Sequence, residues 1–238
     1  MENDNRERLV KFLSSAGAAS RRAAGELVKS GRVAVNGRTV LEPGARVAPG
    51  DQVTLDGAPV RPAEVRLYIM LHKPRGYVCT NHDPHAKQKA VDLIRTDPPV
   101  RLFSAGRLDK ESEGLILFSN DGAYVEELTH PRHEILKQYL VRLTRPLSEA
   151  ELERIRAGIS DQGDLLRVRA IEPLGAARYR ITLNEGKKRE IRRITAAVGA
   201  PTVQLKRVRI GDLELGSLPP GEWRMLTPEE VTLSLKRG

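Results

Sequence analysis

The chain has 238 residues, with 40 Lys and Arg against 31 Asp and Glu (net +9), three Phe, five Tyr, one Trp and one cysteine, Cys79. That length allows one large or two modest domains, and a single cysteine excludes both a disulfide framework and a multi-cysteine zinc site. No apolar run approaches the ~18 residues of a membrane span, and the polar start MENDNRERLV does not read as a signal peptide, so a cytoplasmic protein is expected.

Leu9, Phe12 and Leu13 fall at helical spacing within residues 6–16, which run into Gly17. Ser20 is an N-cap for a second helix over 21–30 that opens on Arg21 and Arg22 and stops at Gly31. Two short strands follow about an Asn36-Gly37 turn, and another comes after a Pro-Gly-Asp turn. Residues 56–64, with two prolines and little periodicity, read as a boundary, so a first domain over 1–60, a linker over 61–66 and a second domain over 67–238 are expected.

The second domain is strand-rich. Strands are expected at 66–72, 100–104, 115–119, 138–144, 165–172, 178–184 and 202–210, and helices at 122–130, 149–157 and 188–198. Ser148 with Glu151, and Thr227 with Glu230, carry the spacing of helix capping boxes. Consecutive strands broken by single helices predict an α+β fold with a mostly antiparallel mixed sheet and flanking helices.

Charge is unevenly placed. Residues 186–209 hold eight basic residues and one acidic, net +7, and such density calls for a counter-anion, phosphate being the natural one. The histidines form two loose pairs, His82/His85 and His130/His133, too few ligands for zinc. The run GRLDKESEGLILFSNDG (106–122) places Asp109 after an expected strand, in a loop of eight residues closing at Gly114, with Arg107 and Lys110 beside it. On pattern alone, a surface loop with a local ion pair explains Asp109 as well as a catalytic carboxylate does. Core packing explains Tyr139 better than chemistry does.

These residues carry a resemblance. GRLDKESEGLILFSNDG, HKPRG (72–76), KQYLV (137–141), NEGKKREIRRI (184–194) with VQLKRVRIGDL (203–213), and PGEWRMLTPEE (220–230) together resemble the bacterial ribosomal RNA pseudouridine synthases, of which type A serves the small ribosomal particle and types B, E and F serve the large one. Residues 9–57 resemble the small αL RNA-binding module named after protein four of the small ribosomal particle. The spellings GRLDK, KQYLV and GEWR lean towards the F or B type.

The resemblance implies a cofactor-free and metal-free isomerisation of uridine to pseudouridine in ribosomal RNA, 23S before 16S or transfer RNA, by a monomer. It implies that Asp109 is the essential aspartate, that Tyr139 stacks on the detached base and assists removal of the C5 proton, and that Arg192 pairs with Asp109. Leu205 would line the base pocket, and Arg107 would fill the place vacated by the flipped uridine. Arg21, Arg22, Lys187, Lys188, Arg189, Lys206, Arg207 and Arg209 would meet phosphates, Lys73 would touch the RNA backbone or brace the Asp109 loop, and Arg193 would be a surface or phosphate contact. Glu190 stands where many members carry glutamine. The competing class is a catalytically silent RNA-binding or ribosome-assembly factor on the same two domains, which would have no need of Asp109, Tyr139 and Arg192 together.

Overall fold

The computed structural model describes residues 5–61, 65–80, 87–98 and 100–237; His82, His85 and residues 62–64 of the expected linker lie outside them. The chain divides into two compact units, one of Met1–Arg66 with Asp97–Arg101 and Asn120–Gly122, the other of the remaining residues.

In the first unit, β1 (Glu7–Arg8) leads into α1 (Leu9–Ser15) and α2 (Arg21–Lys29). The Ser20 hydroxyl accepts the Ala23 N–H at 3.1 Å and so caps α2, leaving Arg21 and Arg22 exposed on its first turn. Leu9 and Leu13 bury against Ala24, Val28, Val33, Val47 and Val53. Strands β2 (Val33–Val35), β3 (Arg38–Thr39), β5 (Val53–Leu55) and β6 (Ala58–Val60) form a sheet in the order β3-β2-β5-β6, while β4 (Arg46–Val47) pairs with β1. Asn36 and Gly37, both at positive φ, close the β2–β3 hairpin as expected. Strand β6 occupies part of the stretch 56–64, in which no strand was expected. Asp56-Gly57 repeats the positive-φ pair (φ +50° and +79°), and Pro59 is tolerated because β6 is an edge strand.

The second unit is a nine-stranded sheet. Its strands are β7 (Tyr68–Lys73), β8 (Phe103–Ala105), β9 (Glu113–Ser119), β10 (Lys137–Leu143), β13 (Ala170–Pro173), β14 (Arg178–Leu183), β15 (Thr202–Ile210), β16 (Leu213–Glu214) and β17 (Trp223–Met225). The order is β13-β14-β10-β15-β9-β7-β17, with β8 along β9 and β16 against β15, and β15–β9 is the parallel pair among antiparallel ones. Flanking it are α3 (Gly122–Thr129), α4 (Glu149–Ala157), α5 (Glu190–Ala197) and α6 (Pro228–Ser234). Both expected capping boxes form, at Ser148/Glu151 and Thr227/Glu230.

Residues 165–172, expected as one strand, split in two. Gln162 and Gly163 at φ +48° and +80° fold β12 (Asp164–Leu166) back onto β11 (Ile159–Asp161), and β13 starts afresh in the main sheet. One core of the unit gathers Met70, Leu115, Leu117, Tyr124, Leu128 and Ile210. No helix among the described residues is long and apolar enough to cross a membrane.

Candidate active site

Asp109 lies in the loop between β8 and β9, and that loop is tied down on several sides. Leu108 N–H donates to Cys79 Sγ at 3.3 Å, Gly76 N–H to Lys110 O at 2.8 Å, and Ser112 N–H to Asp109 O at 3.0 Å. Beneath it, Lys73 is wholly buried and its Nζ donates to Ser112 O at 2.7 Å and to Pro74 O at 2.9 Å. Lys73 is therefore not an RNA-backbone contact: its ammonium is spent inside the protein. Burial pulls that ammonium below the ordinary lysine value, opposed by the charges of Cys79, Asp109, Glu113 and Glu111.

Helix α5 brings a cation to the same place. Its first residue, Glu190, is buried and accepts the Lys187 N–H at 2.9 Å, and Ile191 and Ile194 pack inward. Arg193 is not a phosphate contact, because its guanidinium binds Asp161 Oδ2 at 2.6 Å, Asp164 Oδ2 at 2.8 Å and the Asp161 carbonyl at 2.5 Å. That clamp fixes α5 to the β11–β12 hairpin. Arg192 then points at the loop: Nη2 donates to Ser112 Oγ at 3.3 Å, Nη1 to Thr202 O at 3.4 Å, and Nε, buried without a hydrogen bond, stands 3.9 Å from Asp109 Oδ2. Burial and the nearby Arg189 charge pull the Arg192 guanidinium down, while Asp109 and Glu111 raise it. Arg189, half exposed, binds Glu111 at 2.9 Å and lies 4.0 Å from Asp109 Oδ2; its hydrogen bond to Glu111 holds that carboxyl low. The Asp109 carboxylate, about one-third exposed, thus faces two guanidiniums.

The sheet supplies the floor. Tyr139 on β10, Arg207 on β15, Gly114 on β9 and Lys73 on β7 are successive register partners across four adjacent strands. Tyr139 and Leu205 are buried, and Leu205 pairs with Val141. Arg207 is 2% exposed and its Nε donates to Leu115 O at 2.7 Å, so the expected phosphate contact at Arg207 is also corrected. Its strand position turns the side chain beneath the loop instead of outward. Arg107 is exposed at the start of the loop and Lys188 on the approach to α5, with Lys206 half buried. Lys187 Nζ donates to Leu165 O at 2.7 Å and lies 3.1 Å from Glu185, and Arg209 is ion-paired to Asp212.

Lys137, at the head of β10, donates to Ile135 O at 2.9 Å, and burial first, then Arg207, push its ammonium from 10.5 to about 8. Between pH 8 and 10 the unfolded chain keeps this proton and the folded chain sheds it, so stability rises with pH through that window. Thermal melts should show a gain of ~1–2 kcal/mol from pH 8 to 10 that Lys137→Met abolishes. Equal pH slopes for the two proteins would contradict it.

A carboxylate held by guanidiniums over the mouth of a mixed sheet can add to an electron-poor carbon or take a proton. Residues 67–197 match the model of the RNA pseudouridylate synthase family, and residues 7–53 match the S4 domain. The chain belongs to the RNA pseudouridylate synthase family. The synthase is 37% identical over 229 residues to the ribosomal small subunit pseudouridine synthase A of Escherichia coli (strain K12), covering 94% of this chain and 98% of that one. It is 35% identical over 231 residues to the ribosomal large subunit pseudouridine synthase B of Bacillus subtilis (strain 168), covering 94% of each. A crystal structure of a pseudouridylate synthase superimposes with a TM-score of 0.71 at 30% identity, over 96% of this chain and 99% of that one.

Sequence reading missed Ser112, Glu111 and Cys79. Ser112 lies between two glutamates in a loop, where no periodicity marks a residue as buried. The lone cysteine registered only as an argument against disulfides and a multi-cysteine zinc site.

Proposed function

We propose that this synthase converts one uridine of ribosomal RNA to pseudouridine, with Asp109 as the essential carboxylate. The observation that supports it most is Arg192 Nε aimed at Asp109 Oδ2 from 3.9 Å in a chain of this family. The isomerisation is redox-neutral and keeps every heavy atom of the nucleotide: the N1–C1′ bond breaks, the uracil turns, C5 bonds to C1′, and the C5 proton leaves as N1 gains one. A stacked uridine must first be extruded, and Arg107, exposed two residues before Asp109, is suited to take its place, since a guanidinium stacks and hydrogen-bonds at once. Tyr139 and Leu205 contact the extruded base, and Tyr139 assists loss of the C5 proton. Arg192 keeps Asp109 oriented for its step.

Residues 1–60 act as the RNA-holding domain, 61–66 as linker and 67–238 as the catalytic domain. Arg21 and Arg22, at the dipole-positive end of α2, take phosphates together with Lys187, Lys188 and Lys206, whereas Arg189 is held by Glu111 beside Asp109. The protein works as a cytoplasmic monomer. The motif spellings favour 23S RNA. The comparable identity to the E. coli enzyme named for the small subunit makes 16S RNA the second reading.

Carbodiimide-adduct primer extension across both ribosomal RNAs, in a strain lacking the gene and in its complement, decides between them. One stop should vanish and return, and its position names the target. If every stop persists and the purified protein releases no tritium from 5-labelled uridine in either RNA, the assignment falls.

A further inference from the structure

We propose that Ser112 is the positioning residue that sets the Asp109–Arg192 pair, its hydroxyl holding one arm of the guanidinium so that Nε faces the carboxylate; this rests on the catalytic reading above. Ser112 is fully buried, and each of its polar groups is engaged by a different part of the site. Its N–H donates to the carbonyl of Asp109 itself at 3.0 Å, its carbonyl accepts Lys73 Nζ from β7 at 2.7 Å, and its Oγ accepts Arg192 Nη2 from α5 at 3.3 Å.

The consequence is geometric. Arg192 reaches the loop from a separate element, and the guanidinium could rotate about its last bonds without leaving the helix. Two acceptors remove that freedom: Ser112 Oγ takes Nη2 and Thr202 O takes Nη1. A planar fork held at both outer nitrogens has one orientation for its third nitrogen, and Nε then stands 3.9 Å from Asp109 Oδ2. Because the Ser112 N–H is bonded to Asp109 O, the same residue fixes the carboxylate's own backbone. Lys73 secures the hub from below, which explains a lysine buried completely in the sheet: its partner is a residue that touches both members of the pair.

A double-mutant cycle tests this, with single-turnover tritium release at saturating enzyme for rate and filter binding for RNA affinity. Ser112→Ala should slow release about tenfold while changing affinity less than about twofold. Ser112→Cys, nearly isosteric but a weak acceptor, should match the alanine variant, which separates the hydroxyl from the packing. In an Arg192→Lys background, where no second nitrogen exists to hold, adding Ser112→Ala should cost less than about a further twofold. Full rate in either Ser112 single variant, or losses that multiply in the double variant, overturns the proposal. A wild-type chain that releases no tritium overturns the catalytic reading, and this inference with it; an active wild type with a multiplicative cycle overturns this inference alone.

Discussion

Asp109→Asn should bind ribosomal RNA as tightly as the wild type and lose about a thousandfold or more in turnover. The amide is nearly isosteric, so the loop keeps its ties from Cys79, Gly76 and Ser112, all of which run through main-chain or neighbouring atoms and not through the Asp109 carboxylate. What disappears is the negative charge that Arg192 and Arg189 face at 3.9 and 4.0 Å. An amide neither adds to carbon nor takes a proton at neutral pH, and the neighbouring carboxylate is no substitute. Glu111 is committed to Arg189 at 2.9 Å. Filter binding and tritium release measured on one preparation check both halves. Release within about tenfold of wild type would remove Asp109 from the chemistry.

Gly114→Ala should cost about 4 kcal/mol or more and lower the unfolding midpoint of the second unit accordingly. At φ +113° an L side chain is strained wherever it points, and here it has nowhere to go. A Cβ built on Gly114 would lie 2.2 Å from Arg207 O and 2.6 Å from Arg207 N, both main-chain atoms. The strands must part for it, at the point where β9 and β15 make their parallel pairing through Lys206/Glu113 and Arg207/Gly114. Trp223, the single tryptophan, sits on β17 against β7 in the same sheet, so its fluorescence in a urea titration reports that unit. A wild-type midpoint would show that the two strands can separate without penalty.

Periodicity and caps made most elements legible. The β10, β14 and β15 strands, α4 with its Ser148 box and α6 with its Thr227 box stand within a residue or two of their expected places, because an alternating apolar face or a capping pair is local information. The β6 strand was hidden by Pro59, and the β11–β12 hairpin by a Gln-Gly turn weaker as a signal than Asn-Gly. At the site, the motif drew attention to Asp109 and Arg192, which come together from 83 positions apart in sequence. The direction of a basic side chain was not legible. Lys73, Arg193 and Arg207 look in sequence like any phosphate ligand, and only the register of β7 and β15 and the hairpin beside α5 turn them inward.

That inward turn bears on how a polyanion meets the segment 186–209. Arg193 is neutralised by two aspartates, Arg189 by Glu111 and Arg209 by Asp212, while Arg192 faces Asp109 and Arg207 is buried on β15. Side chains so occupied displace few of the counterions condensed on a nucleic acid. The segment therefore behaves towards ionic strength as about two or three cations, although eight are written in its sequence.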